Sequence, residues 1–504
     1  MVIVWLATAL SWDIHKPWIN FPDFNGAVWS QSAHNNLRAG LKTTLGVPTG
    51  FYFGPLPIPP NGYYTHHPPL LPLMVTGLFA VLGEREWVAR LLPIMASALT
   101  IILLWLLVRH CIGVRAATFS AAIFSVLPME LRFGKMVNHE SLVLMWILAL
   151  LVALRHWTMT REARWLAVVF VCSFLGMWTG WHMYMFAVPL AGILIARGPG
   201  AERTLGYALV TSALLSIVLF FVLIRLARAD AWHDLWNAFQ FRLGSTDQNQ
   251  RGYPWTQWFT VVGRALFLDI PPIAWGLAVL GAVVLWRNHA RSEQNRWLGW
   301  AALGIFAMDA IYVVAFRNAS FIHAYASFYF VAPIAMMSGV ALDALIQGVE
   351  NRSGNRPVPR AAVWWGVLAV IALLGTTGFT TTRRLDREQH CILDWKTHEP
   401  PDLVPQLGKA IRETFSEDTL VLCNFLPVYG PHLYYYAQRN LWNNLNAYAE
   451  WEPIIGDSQL RIGGVIWMGA SNAQELLSAL PEGTRQFVSF GDPRFCLWSP
   501  TFSK

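Results

Sequence analysis

Eleven apolar stretches recur along this chain and leave it few folds to choose from. They run over Met1–Trp12, Trp87–Cys111, Arg115–Pro128, Glu140–Trp157, Trp165–Trp178, Met183–Ala196, Thr204–Arg225, Ile270–Trp286, Trp297–Phe316, Phe328–Ile346 and Ala361–Phe379. A helix needs about 20 apolar residues to cross the hydrocarbon core of a bilayer, and most of these stretches approach or reach that length. Backbone groups in lipid must be satisfied within the segment, so the stretches are read as helices. Charge agrees: only 13% of the 504 residues are charged and 55% are hydrophobic, against about a quarter charged in soluble domains. The 26 tryptophans fit the aromatic belts of membrane interfaces. The first stretch lacks a basic leader and a small-residue cleavage site, which favours a retained helix over a signal peptide. A further apolar piece, Leu70–Leu82, contains Pro72 and is too short to cross; it is expected to lie along the interface.

Orientation follows from the arginines. Alternate short loops carry Arg109 and Arg115; Arg155, Arg161 and Arg164; Arg197 and Arg203; Arg287, Arg291 and Arg296; Arg352, Arg356 and Arg360. The positive-inside rule makes this set cytoplasmic, with the N-terminus on the same side. The long loops 13–86 and 226–269, and everything beyond the last stretch, then face outside, in a multi-pass protein of the plasma membrane. The net charge of +7 is spread between spans rather than gathered in a stripe, so nucleic acid is not an expected partner.

Beyond residue 380 charges become frequent and the pattern turns globular. Residues 419–424 and 464–469 read as strands, and 431–439 and 473–480 as helices, predicting a small extracytoplasmic α/β domain over 381–504. It shows neither a glycine-rich phosphate loop nor a catalytic triad, and is expected to recognise an acceptor or to dock. Residues 1–380 form the membrane domain. Of the five cysteines, Cys111 and Cys172 fall in spans and read as apolar fillers. Two of Cys391, Cys423 and Cys496 can pair if their compartment is oxidising.

The chemistry is concentrated in the first loop. A polar excursion of this length in a tightly threaded membrane protein costs ordering entropy that function usually explains. Asp23 stands just past the first span, where a carboxylate can accept the proton of an attacking hydroxyl. The alternative is a helix cap, because a helical pattern runs from Asn25 to Ala39. Near the loop's end, Thr65-His66-His67-Pro68-Pro69-Leu70 combines a rigid turn with two rings able to donate to phosphate or sugar oxygens. Arg90 sits at the outer start of a span, where a guanidinium is costly unless paired or used. It is either a grip for a lipid phosphate or a partner of Glu84, Glu86 or Glu140. The next outer loop gathers Glu130, Arg132, Lys135, His139 and Glu140, able to bind sugar or phosphate or simply to snorkel. Arg225, Arg228, Arg242, Arg251 and Arg264 populate the loop at 226–269 as a basic lid over an anionic headgroup or as a solvated face. His323 and Tyr325, at the mouth of a later span, line an acceptor groove or anchor the interface.

Taken in order, these pieces resemble a known family. An acid after the first span, the His67-Pro68-Pro69-Leu70 turn, the segment Leu82-Gly83-Glu84-Arg85-Glu86-Trp87-Val88-Ala89-Arg90-Leu91-Leu92-Pro93, and an acid opening the fourth span are similar to the dolichyl-phosphate-mannose protein mannosyltransferase superfamily. Its bacterial members include the aminoarabinose transferases that modify lipid A. The resemblance covers residues 1–345. It implies the membrane-embedded glycosyltransferase fold called GT-C, with about eleven transmembrane helices here, an outward-facing site and a polyprenyl-phosphate-linked sugar as donor. Acceptor glycan, lipid or protein and the surrounding membrane lipids complete the implied partners.

Carried over by position, the resemblance makes Asp23 the catalytic acid of the first loop. Arg90 becomes the support for donor phosphate, Glu140 the acid of the next outer loop and His67-Pro68-Pro69 the turn after the first; Lys135 and Arg132 are expected beside Arg90 at the phosphate from their charge alone. His66, His67, Glu84, His139, Glu140, His323 and Tyr325 are left to bind substrate. The chain departs from the family where Phe24 follows Asp23 instead of a second acid, and where Glu140 replaces an aspartate. No cofactor is indicated; a divalent metal is compatible with these acids and histidines, but no spacing points to one. Two other classes compete. A lipid-linked sugar transporter or flippase would carry repeats and mid-span charges, of which Asp309 and Asp343 are the exceptions here. A non-catalytic scaffold would leave Asp23 and Arg90 without a common cavity.

Overall fold

The computed structural model describes residues 1–198, 200–244, 252–288, 292–352, 360–388, 402–423, 430–442, 462–468, 486–489 and 495–499. Arg251, Arg291, Arg356, Cys391 and the helix expected at 473–480 lie outside these residues. The chain divides into two compact units. One contains Met1–Ile14, Thr65–Met74 and Arg90–Arg384; the other contains His15–Tyr64, Val75–Ala89 and the described part of 385–504.

The first unit is helical throughout. A helix occupies each of the eleven predicted stretches, from Val2–Leu10 to Arg360–Glu388. Among the described residues six are long and apolar enough to cross a bilayer: Glu86–Cys111, His139–Thr160, Gly200–Ala227, Glu293–Ala315, Ala324–Asn351 and Trp364–Leu385. A seventh crossing arises if Trp255–Asp269 and Pro272–Arg287, bent by 82°, count as one span. Val114–Phe124, Ala163–Thr179 and Trp181–Arg197 are apolar but shorter. At 1.5 Å per residue they fall short of a hydrocarbon core of about 30 Å. Composition located them but did not set their length.

Small residues let the helices approach closely. A Cβ on Gly281 would fall 1.9 Å from the carbonyl oxygen of Met337, so the helices Pro272–Asn288 and Val331–Arg352 touch backbone to backbone there. The two mid-span acids have structural answers. Asp343 pairs with Arg115, which also reaches Glu350 at 3.2 Å. Asp309, fully buried, accepts the Phe330 amide at 2.9 Å.

The second unit joins segments far apart in sequence. The helix Asp23–Ala39 buries polar residues as well as apolar ones, among them Ser30, Gln31, Asn35 and Asn36. Its side chains replace the ladder bonds that the following loop lacks. Asn35 donates to the carbonyls of Thr49 and Tyr52, both at 2.9 Å, and Arg38 donates to Gly54 at 2.6 Å. Gln31 and Gln438 exchange amide bonds, and Arg38 pairs with Glu417 at 2.7 Å. Asn36 bonds Thr76 at 3.0 Å.

Five strands follow: β1 (Leu420–Cys423), β2 (Asn440–Trp442), β3 (Ile462–Met468), β4 (Gln486–Ser489) and β5 (Phe495–Ser499). The sheet order is β2-β1-β3-β5-β4, with β1 parallel to β2 and β3, and β5 antiparallel to β3 and β4. The helices Leu403–Thr414 and Gly430–Ala437 cover it, Leu407, Ile411 and Leu433 joining Val421 of β1 in one core. Cys423 is a buried free thiol in β1.

Candidate active site

Asp23 is the first residue of its helix, and its Oδ2 accepts the backbone amides of Ile19 at 3.2 Å and Asn20 at 3.0 Å. The carboxylate therefore ties down the preceding turn rather than capping the helix it opens. Two amide donors fix its direction, as a positioned base requires. His432 contributes a ring nitrogen to the Asn20 carbonyl at 2.9 Å, buttressing the same turn.

Glu84 belongs to the same unit and is answered by two side chains, His34 Nδ1 at 2.8 Å and the Tyr435 hydroxyl at 3.0 Å. The neighbouring Tyr436 donates to Glu86 at 2.6 Å and accepts the Trp18 amide at 2.8 Å. Burial, with Glu84 beside it, raises the Tyr435 pKa and keeps the phenol a donor. The tyrosine run in the C-terminal region is thus an anchor for the acidic turn before Arg90.

The remaining candidates belong to the helical unit, where they form three groups. In the first, Arg90, buried, donates to the Ile14 carbonyl at 2.8 Å. Lys135 donates to the Trp12 carbonyl at 3.1 Å, and Arg383 lies 3.6 Å from Asp13. Three cations thus converge on residues 12–14, where the chain leaves its first helix. Arg383 was not anticipated: it sits at the end of the last span, and only the fold brings it back to the first. Arg132, by contrast, faces Asp269 at 3.3 Å, both buried. That charge is matched inside the protein.

The second group surrounds the two loop histidines. Asp234 receives the Thr65 hydroxyl at 2.7 Å and lies 3.0 Å from His66 Nε2 and from Arg228. Trp181 donates its indole N–H to the His66 carbonyl at 2.8 Å. His67 stacks on His139 with centroids 4.6 Å apart, and its Nε2 is 3.4 Å from Arg242. Burial first, then Arg242, lowers the pKa of His66 to about 4; burial and His139 lower that of His67. Both rings are neutral at pH 7 and available as hydrogen-bonding groups rather than charges.

The third group lies beside Glu140, which is buried at the start of its helix with Oε2 unpartnered among the described residues. The His182 ring is 4.0 Å from that of Tyr312 and 4.5 Å from that of Tyr329, and Tyr329 lies near Glu140 and Asp309. His182 escaped the sequence reading because it falls one residue outside a predicted span. His323 stacks on Tyr325 at 4.9 Å, and Tyr325 meets Phe133 edge-on. Burial, then Arg242, lowers His323 to about 4. Among the described residues no three His, Cys, Asp or Glu side chains gather as a metal site would require.

Apolar helices with polar groups concentrated at their ends define the class: a polytopic membrane protein with the GT-C glycosyltransferase fold. The family model for dolichyl-phosphate-mannose-protein mannosyltransferase matches residues 66–229, bearing out the resemblance read from the motifs. ArnT from Cupriavidus metallidurans bound to undecaprenyl phosphate superposes with a TM-score of 0.65 at 14% identity, over 100% of this chain and 97% of that one. The oligosaccharyltransferase AglB from Archaeoglobus fulgidus, in complex with an inhibitory peptide and a dolichol-phosphate, gives 0.53 at 15% identity over 93% and 69%. No curated protein matches the sequence.

Proposed function

We propose that this protein is an integral-membrane glycosyltransferase that moves a sugar from a polyprenyl-phosphate donor to an acceptor hydroxyl or amine at the outer face of the membrane. The observation that carries the reading is end-to-end fold agreement with a structure holding a prenyl phosphate, joined to the family match over 66–229. Asp23 takes the acceptor proton as the acceptor oxygen or nitrogen attacks the anomeric carbon. The bond from that carbon to the phosphate oxygen breaks, and polyprenyl phosphate leaves. One displacement inverts the anomeric centre.

The leaving phosphate gains charge, and Arg90 with Lys135 is the pair that stabilises it, a contribution commonly among the largest in such steps. Arg132 contributes less, because Asp269 already opposes it. Neutral His66 and His67 and the carboxyl of Glu140 offer hydrogen bonds to the sugar. His139, His323 and Tyr325 shape its surroundings.

The test is incubation of purified protein with a panel of polyprenyl-phosphate sugars and candidate acceptors, with mass spectrometry of the products. Transfer of one sugar with release of polyprenyl phosphate is expected. Donor carried across a sealed vesicle without cleavage would replace this reading with transport.

A further inference from the structure

A furrow of about 390 Å³ runs along the helical unit, away from every residue assigned above. Its walls are the helices Pro272–Asn288 and Glu293–Ala315, with Met337 and its neighbours in Val331–Arg352 behind them. Small residues open it: Ala278 and Ala282 on one side, Gly299 and Ala302 on the other. Leucines in their places would close the gap by ordinary knob packing. A Cβ added to Gly299 meets nothing within 4 Å. The space above Gly299 is therefore open.

Its two ends differ. From Trp275 and Phe306 onward the lining is apolar, but the other end is closed by Asn295 and Arg296, beside Trp286 and Trp300. Those tryptophans are 76% and 63% exposed, as rings seated at a lipid headgroup level are. The Arg296 side chain has no ion pair or hydrogen bond among the described residues, and neither has Arg287 in the last turn of the facing helix. Counted from Asn295 to Phe306 the furrow is about 16 Å long, half the thickness of a hydrocarbon core and hence the depth of one leaflet.

We infer that this furrow is a binding site for an anionic phospholipid, its acyl chain lying between the two helices and its phosphate held by Arg296 and Arg287. The single-leaflet depth fits a phospholipid better than a long polyprenyl chain. Arginines between spans are suited to such headgroups. The loop between these helices is one of the arginine-bearing set, so the bound lipid belongs to the cytoplasmic leaflet, opposite the proposed transfer site.

Native mass spectrometry of the purified full chain, equilibrated with equimolar phosphatidylglycerol and phosphatidylethanolamine, tests the inference. The wild type is expected to retain phosphatidylglycerol preferentially. Arg296→Gln should cut that preference about fivefold, in line with roughly 1 kcal/mol per arginine at a membrane surface. Gly299→Leu should expel lipid of either kind. Ala282→Phe serves as a second filling variant if thermal unfolding shows the first misfolded. Equal retention of both lipids by the wild type overturns the inference, as does retention unchanged in the filled variants. Displacement of phosphatidylglycerol by equimolar undecaprenyl phosphate reassigns the furrow to a prenyl lipid and overturns it equally.

Discussion

Two acids, Asp23 in one unit and Glu130 in the other, are buried with very different partners. In the second unit, Asp23 is met by two backbone amides, Glu84 by a histidine and a tyrosine, and Glu86 by a tyrosine. In the helical unit, Glu130 is wholly buried with neither carboxylate oxygen hydrogen-bonded among the described residues. Burial lifts its pKa to about 8. A carboxylate held by fixed donors is oriented by them. A group buried without them gives up its charge.

The sharpest way to break that comparison is Asp23→Asn. It should lower transfer about a thousandfold or more, as loss of a general base does, while thermal unfolding and donor binding stay near wild type. Residual turnover within tenfold of wild type, measured on purified protein, would remove Asp23 from the role. Glu130 predicts the opposite. Its raised pKa means that the unfolded chain ionises near pH 4.5 while the folded protein holds its proton to about 8. Stability tied to this group therefore falls as pH rises from 4.5 to 8. Glu130→Gln should recover about 3 kcal/mol at pH 7 and flatten the melting temperature across that window. Unchanged pH dependence would show that water reaches the carboxyl.

Smaller effects follow. Arg90→Ala should weaken donor binding about tenfold to a hundredfold, the worth of a charged hydrogen bond to phosphate. An affinity unchanged in titration would confine Arg90 to its carbonyl contact. His66 and His323, both lowered to about 4, contribute stability that is complete above pH 6.5 and is lost as pH falls towards 4. Replacing His66 with Gln should remove its part of that acid slope, read from melting temperatures at pH 7 and pH 4.5. Tyr435→Phe, which leaves Glu84 only His34, should cost about 1 kcal/mol and leave Asp23-dependent turnover intact.

Much of this was legible in the sequence. The eleven helices, the helix after Asp23 and the first strands of the sheet follow from periodicity, because each is fixed by contacts within a few residues or by transfer into lipid. The segment from Leu82 to Pro93, taken in order with the first-loop acid, the His67-Pro68-Pro69 turn and Glu140, indicated the GT-C fold. The β4–β5 hairpin was not read, and Arg132 was grouped with the phosphate ligands although Asp269, 137 residues on, answers it. Asp234, His182 and Arg383 carried no local signal at all.

By itself the sequence determined the solvent each segment requires: lipid for the apolar helices, water or protein for the rest, because transfer free energy is a property of composition. Only the tertiary structure decided which charges are answered. Arg383 reaches Asp13, Tyr435 reaches Glu84 and Gln438 reaches Gln31 across hundreds of residues. Electrostatic and hydrogen-bonding partners are chosen by distance in space, which no local pattern encodes.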